Sequence, residues 1–484
     1  MRLGVGSKRR LLNWKMILLA GIIFIAVPFI FPQNEANAAA AGSYLSNSQF
    51  ETWMTSQGFP ESYKPYLRAL HQKHPGYVFK ATKTRLDWNY VSSRENASGK
   101  SVVSSSSYAS YKSFENGFYN FSSNTYKVFD GHWNQASPAL VNYYLDPRNF
   151  LNEDDLFMFF YHGQCNKSYD NTKTIRGITD LKDYSFMHSK IYKKNKKKPN
   201  YALLIHNAGI KAGVNGPVLA SMIVTEQGWS GTSGLISGTY KNYKGYYNYF
   251  NIGAYTTRTM SATQRGLWYA KGEGKNKTTY GRPWNSRSKA IYGGAVFYNR
   301  GYMKNRQYTY YTKKFNVLNG AANVGKHEYM TNVQGAQTEG RLLKNAYGSS
   351  GNTVMTFYIP VYNNMPAKAC AKPGTSGNND NVLNSLYVKS GTKLTTKYSS
   401  SPGFTRYGTT YTVKLPKKYK KFSIYAKAHS SSAVVSITGI KTTSKNPASY
   451  ARTISQNSSS HSYQICVKSS SGQYRYYTVR IIRK

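Results

Sequence analysis

Val214-Asn215-Gly216-Pro217-Val218-Leu219-Ala220-Ser221-Met222-Ile223-Val224-Thr225-Glu226-Gln227-Gly228 contains both ends of one helix and the pattern of its burial. Val214 to Pro217 reads as the start. Proline in a first turn costs no hydrogen bond, because the N–H groups there have no partner within the helix. Gly228 reads as the stop, since glycine most readily leaves the helical conformation. Leu219, Ile223 and Glu226 fall at i, i+4 and i+7, and Met222 joins them. A carboxylate therefore closes an apolar stripe in the last helical turn. Apolar surroundings disfavour the anion and the negative end of the helix dipole repels it, so both raise its pKa. A general acid that stays protonated near neutral pH needs that shift. The plain alternative is a surface glutamate, for which the last turn is a poor place.

The flanks extend this reading. Gln227-Gly228-Trp229-Ser230-Gly231-Thr232-Ser233 is a turn of small residues around one tryptophan. Tyr246-Tyr247-Asn248-Tyr249-Phe250-Asn251-Ile252-Gly253-Ala254-Tyr255 and Tyr280-Gly281-Arg282-Pro283-Trp284-Asn285 interleave aromatic rings with amides. Such a mixture suits a polysaccharide groove, in which sugar CH faces stack on rings and amides read hydroxyl and acetamido groups. The expected groove residues are Trp229, Asn248, Tyr249, Phe250, Asn251, Tyr255, Tyr280 and Trp284.

Acids are scarce enough to make the search for a second catalytic group short. The 484 residues hold 65 Lys+Arg and 19 Asp+Glu, for a net charge of +46. Hydrophobic residues make up 40 % of the chain, which excludes wholesale disorder. Of the 19 acids, 13 lie between Glu51 and Asp183. From Tyr184 to Asn379 the carboxylates are Glu226, Glu273, Glu328 and Glu339. For a glycosidase, which the family resemblance given below implies, an inverting mechanism needs a base carboxylate roughly 6.5–9.5 Å from its acid. Glu273, in Lys271-Gly272-Glu273-Gly274-Lys275, is nearest in sequence and would need its mobile loop to fold over the substrate. The other route is substrate assistance, in which the sugar's acetamido oxygen attacks and a tyrosine such as Tyr255 or Tyr280 steadies the charge. Glu328 reads as structural. His71 and His74 read as a surface helix end beside Pro75, His206 as structural, and Cys165, Cys370 and Cys466 are too far apart for a zinc motif. No metal and no organic cofactor is implied.

Beyond this segment, Arg2 to Lys15 is basic, Met16 to Pro32 is apolar, and Ala36-Asn37-Ala38 is a small-x-small site. This predicts a signal peptide over 1–38 and a secreted, wall-associated protein, the alternative being an uncleaved membrane anchor. For an exported protein, the positive charge points to anionic wall polymers such as teichoic acid rather than to nucleic acid. Residues 39–190 mix helix and strand signals. Tyr63, Tyr66, Leu67 and Leu70 read as one helical face, and Asn152-Glu153-Asp154-Asp155 reads as a helix start. Residues 200–330 read as helical with Gly/Tyr/Asn-rich loops, 331–366 as a strand-rich extension and 367–381 as a linker. Residues 382–484 alternate apolar and polar at period two and carry 18 Lys+Arg with no Asp or Glu. That predicts an all-β sandwich with no carboxylate chemistry and no calcium site of the usual kind.

Leu219-Ala220-Ser221-Met222-Ile223, Glu226-Gln227-Gly228, Leu235-Ile236-Ser237-Gly238-Thr239-Tyr240 and Tyr249-Phe250-Asn251-Ile252-Gly253-Ala254 together resemble the secreted, peptidoglycan-hydrolysing endo-β-N-acetylglucosaminidases. Phe59-Pro60-Glu61-Ser62-Tyr63-Lys64-Pro65-Tyr66-Leu67 and Tyr144-Leu145-Asp146-Pro147-Arg148-Asn149-Phe150-Leu151 resemble multidomain Gram-positive members. The resemblance covers roughly 45–366. It implies a lysozyme-like, mainly α catalytic domain over 200–366, Glu226 as general acid, and Asn248, Tyr249 and Phe250 lining the groove. Residues 382–484 resemble the bacterial cadherin-like repeat. The expectation is a multidomain α+β protein that cuts the β-1,4 bond after N-acetylglucosamine in peptidoglycan. The alternatives are a muramidase or lytic transglycosylase on the same fold, and a non-catalytic basic wall-binding protein.

Overall fold

The computed structural model describes residues 42–129, 131–165, 170–274, 277–347, 353–440 and 446–484; the expected signal peptide lies outside them. No helix among these residues is long and apolar enough to cross a membrane.

The chain contains both helices and sheets. Helices α1 (Asn47–Gln57) and α2 (Lys64–Lys73) precede strand β1 (Tyr77–Asp87) and helix α3 (Trp88–Glu95). Short strands β2 (Val102–Ser104), β3 (Tyr119–Asn120), β4 (Thr125–Tyr126), β5 (Val128–Phe129) and β6 (Trp133–Gln135) follow. The helical part comprises α4 (Pro138–Leu145), α5 (Thr172–Thr179), α6 (Ser189–Lys194), α7 (Tyr201–Ala212), α8 (Gly216–Gln227), α9 (Gly234–Ser237), α10 (Ala262–Lys271), α11 (Arg287–Gly301), α12 (Tyr310–Lys314) and α13 (Gly335–Tyr347). Strand β7 (Met355–Asn363) then pairs in parallel with β1, Tyr77 opposite Met355 and Phe79 opposite Phe357.

This pairing joins the segments 39–190 and 200–366. Phe50, Leu67, Phe79, Phe157, Ile223, Tyr310 and Ile359 all belong to one hydrophobic core. Four local expectations change. In α2 Tyr63, Leu67 and Leu70 are buried but Tyr66 is exposed, because a 3.6-residue turn carries it off that face. His71 is no surface residue: its ring stacks on Phe50 at 4.0 Å and its Nε2 meets the Leu45 carbonyl at 2.8 Å. Asn152 opens a turn rather than a helix, its Oδ1 accepting from the N–H groups of Asp154 and Asp155, and Leu156–Phe159 is one 3-10 turn buried on all sides. The segment 331–366 is helix α13 followed by the single strand β7.

The segment expected to be a linker is held in place. Arg148 pairs with Asp146 through two hydrogen bonds of 2.9 and 2.8 Å and donates to the carbonyls of Pro366, Ala367 and Lys368. Asp146 also accepts from the Cys370 N–H at 2.9 Å. Asp146 and Arg148 are both buried, so the Asp-Pro-Arg stretch fastens the end of the main core to the exit of the chain.

Beyond it lie β8 (Leu383–Ser390), β9 (Thr396–Tyr398), β10 (Thr410–Leu415), β11 (Lys421–Ala428), β12 (Val434–Ile437), β13 (Ser449–Ser455), β14 (Ser460–Lys468) and β15 (Tyr474–Arg483). They form two four-stranded sheets, ordered β10-β15-β14-β12 and β13-β11-β8-β9. Alternate residues of both sheets, such as Val413, Ile424, Ile465 and Val479, share a second core, which is a sandwich arrangement. The sandwich meets the main core through Tyr407, which donates to the Phe114 carbonyl at 2.8 Å, and through the Arg475–Glu115 ion pair at 2.5 Å.

Candidate active site

Helix α8 begins where the Asn215 side chain accepts from the Val218 N–H at 3.1 Å and donates to the Gln164 carbonyl and the Tyr347 hydroxyl. Gly216 to Val224 are buried without interruption, so α8 is the central helix of the core rather than an amphipathic one. It surfaces only in its last turn. There Thr225 is exposed and Glu226 is half-buried.

Asn251 fixes that carboxyl. Its Nδ2 donates to Glu226 Oε2 at 2.7 Å and to the Glu226 carbonyl at 3.0 Å. Its Oδ1 accepts from Gln227 Nε2 at 2.7 Å, so the amide can point only one way. Asn251 has a left-handed backbone, φ 52°, which asparagine tolerates better than other side-chain-bearing residues. The Tyr329 hydroxyl donates to the Phe250 carbonyl at 3.3 Å and lies against the same carboxyl. Burial pushes Glu226 up to about 7; the charge of Lys313 opposes this, that of Glu339 adds to it, and the bonds from Asn251 and Tyr329 oppose it. Near neutral pH the group is thus divided between proton donor and anion. Tyr302 completes the surroundings; burial first, then the Glu226 charge and Tyr280, push it up to about 12.

The expected groove residues divide into two sets. Asn251, Tyr280, Tyr255 and Trp229 keep accessible surface. Tyr280, on a left-handed turn at φ 58°, packs on Phe297 at 5.1 Å. Tyr255 is bonded to Arg265 at 3.0 Å. Trp229 lines, with Thr225, Gln337 and Arg341, a cavity of about 510 Å³ whose wall does not include Glu226. Asn248, Tyr249, Phe250 and Trp284 are core residues, at 0, 0, 3 and 0 % exposure, and have no face to offer a sugar. Asn248 closes its own loop, accepting from Ile252 N–H at 3.1 Å and donating to the Ile252 and Gly266 carbonyls at 2.8 and 3.0 Å. The Tyr249 hydroxyl meets Tyr201 at 3.0 Å, and Trp284 Nε1 donates to the Tyr280 carbonyl at 2.9 Å. Phe250 and Trp284 are pressed against α11, where a Cβ at Gly294 or Gly293 would come within 2.0 Å of them. These buried residues therefore shape the loops that carry Asn251 and Tyr280. We predict that Asn248→Ala lowers stability by about 1–3 kcal/mol, since two carbonyls and an N–H lose their partner. Urea denaturation checks this, with any loss of activity following from misplaced Asn251.

Glu273 lies just past the end of α10. It follows the cap Gly272, is half exposed, and pairs with Lys271 at 2.8 Å, which holds its carboxyl below the usual range. The charges that act most on Glu226 are those of Lys313 and Glu339. Glu328 is buried with Glu95 around Lys314, at 3.4 and 3.2 Å, so its carboxyl is occupied in the core. Among the described residues no cluster of His, Cys, Asp and Glu is arranged to hold a metal ion.

Lys313, Tyr302 and Tyr329 escaped the sequence reading, and Glu339 is noted there without a role. Lys313 and Glu339 form an ion pair at 2.6 Å with neither side chain exposed. One of them was legible: Ala336, Glu339, Gly340, Leu343 and Tyr347 lie on the buried face of α13. That is the same signal of a glutamate within an apolar stripe that marked Glu226.

No family model matches the chain. Among known proteins, a bifunctional autolysin of Staphylococcus epidermidis is 34% identical over 171 residues, and one of Staphylococcus aureus 33% identical over 171 residues. Each match covers 34% of this chain and 12% of the relative, so the chain spans about an eighth of the length of these proteins. Among solved structures, the major bifunctional autolysin aligns at a TM-score of 0.37 and 24% identity, over 59% of this chain and 98% of that one. S. aureus glucosaminidase B aligns at 0.38 and 20% identity, over 59% and 96%. S. aureus autolysin E, solved with a muropeptide, aligns at 0.36 and 19% identity, over 57% and 97%. Over about a third of its length, then, this chain is similar to the bifunctional autolysins of staphylococci.

Proposed function

We propose that the chain is a secreted cell-wall hydrolase that cleaves the β-1,4 bond after N-acetylglucosamine in peptidoglycan, with Glu226 as the general acid. The observation that carries this is the environment of Glu226. A half-buried carboxyl at a helix end, aimed by Asn251 and pushed up to about 7, holds a proton where most carboxyls have lost it. The likeness to bifunctional autolysins supports a glycan strand as the substrate. Asn251 and Tyr280 would border that strand. On this reading the helical part is the lysozyme-like catalytic domain of the expected fold.

In the reaction, Glu226 gives its proton to the glycosidic oxygen as the C–O bond breaks, and the anion left behind is held by Asn251 and Tyr329. Glu339 is bound to Lys313 in the core and Glu273 to Lys271 in an exposed loop, so each of these carboxylates already has a partner. We therefore assign attack on the anomeric carbon to the substrate's own acetamido oxygen. Water then opens the resulting ring and restores the proton to Glu226. This route retains configuration. Proton NMR of the first product should show the β-anomer; the α-anomer would instead call for Glu273 as base, with its loop closed over the strand.

Mass spectrometry of digested peptidoglycan tests the bond. N-acetylglucosamine at the new reducing end is expected. Muramic acid there indicates a muramidase, and anhydro-muramic acid a transglycosylase. The sandwich, with 18 Lys+Arg and no acid, is proposed to hold the enzyme on anionic wall polymer such as teichoic acid. Export would follow from the segment 1–38.

A further inference from the structure

We propose that the buried Lys313–Glu339 pair, packed beneath Glu226 through the Tyr329 ring, is a positioning element that tunes the proton affinity of the acid. This rests on the reading of Glu226 as proton donor.

The geometry is continuous. The Tyr329 hydroxyl reaches the Glu226 carboxyl, and Lys313 Nζ lies 4.3 Å from the centroid of the Tyr329 ring. The Tyr310 and Tyr298 rings enclose the same ammonium at 5.1 and 5.9 Å. Lys313 Nζ contacts both oxygens of Glu339, at 2.7 and 2.6 Å. Behind it, the Tyr298 hydroxyl meets His162 Nδ1 at 2.6 Å, and burial together with Lys313 holds that imidazole neutral. The groups facing Glu226 are thus Lys313, Glu339, Tyr329, Tyr302 and Asn251; those facing the pair are Tyr298, Tyr310, Tyr329 and His162.

Stability alone does not account for such a pair. Removing two charges from water costs much of what their attraction returns, and apolar residues of the same shape often serve as well. What a buried pair does supply is a fixed local field, strong because no water screens it. Lys313 lowers Glu226 and Glu339 raises it; because the ammonium is the member of the pair seated on the Tyr329 ring, which lies against the acid, the net field favours the anion. It opposes the effect of burial, which alone would leave a carboxyl too reluctant to release its proton. A general acid works best when its pKa lies near the working pH.

The sign for a variant follows. In Lys313→Met the favourable charge is gone, and Glu339 is either an anion, which raises Glu226 further, or neutral, which adds nothing. Both cases move Glu226 upward. The test is the pH profile of kcat/KM on solubilised peptidoglycan strands, read beside the ¹³C titration of the Glu226 carboxyl. For Lys313→Met the alkaline limb and the titration are expected to move up together by roughly one pH unit. The double variant Lys313→Met/Glu339→Gln, which leaves no buried lone charge, should shift in the same direction by less. If the single variant fails to fold, the double variant carries the test. An activity that falls equally at every pH, with the limb and the titration unmoved, would show that the pair is only scaffold and overturn the proposal. Glu226→Gln separates the two claims: if that variant keeps full activity, the acid itself is misassigned, whatever the pair does.

Discussion

Glu226→Gln should lower glycan cleavage by roughly 10²–10⁴-fold, the contribution that general acid catalysis ordinarily makes. Sedimentation with cell walls should persist, because the acid-free sandwich and its basic residues are untouched. The amide keeps the shape of the carboxyl and can still accept from Asn251 Nδ2, but it has no proton to give a leaving oxygen. Stability should respond in the opposite sense to activity. The carboxyl titrates at about 7 in the folded chain, against ~4.3 for an unfolded glutamate. A folded value above the unfolded one means that the group's contribution is fully present below pH ~4 and is lost as pH rises through 7. At pH ~8 the variant should therefore be more stable than the parent, by roughly 1–3 kcal/mol once partial exposure to water is allowed for. A functional residue held at a cost to stability behaves in this way. Thermal melts of both proteins at acid and alkaline pH would show it, as a gain in the variant confined to the alkaline side.

The second large effect is expected far from the acid. Arg148→Ala should destabilise the main core by roughly 3–5 kcal/mol, because it leaves the Asp146 carboxylate buried without its partner. Three backbone carbonyls, of Pro366, Ala367 and Lys368, lose their donor as well. The chain leading to the sandwich would come loose, and limited proteolysis should then cut within 366–381. Asp146→Asn combined with Arg148→Met should recover part of the loss, since no lone charge remains in the core. A urea midpoint for Arg148→Ala equal to that of the parent would contradict the account of this clasp.

What the sequence shows, it shows where the signal is local. The ends of α8, the place of Glu226 in its last turn and the period-two alternation of Val413, Ile424, Ile465 and Val479 all depend on residues within a few positions of one another. Pairing of β1 with β7 depends on strands from opposite ends of the main core, so nothing local shows that 39–190 and 200–366 share one interior. The aromatic stretches fail for a different reason. Tyr249, Phe250 and Trp284 lie in loops with no helical or strand period, and without a period there is no phase to tell a buried ring from an exposed one. Their burial depends on Gly293 and Gly294 of α11, whose missing side chains make room for them. Lys313 is hidden by its own type. A lysine in Tyr-Tyr-Thr-Lys-Lys reads as solvated until the apolar face of α13 brings Glu339 to meet it.

The most direct test of the central claim is the ¹³C titration of the Glu226 carboxyl in the intact protein, assigned by its absence from Glu226→Gln. The account predicts a midpoint of about 7, with cleavage activity falling along the same curve as pH rises. A midpoint near 4.5, the ordinary value for a glutamate open to water, would contradict it.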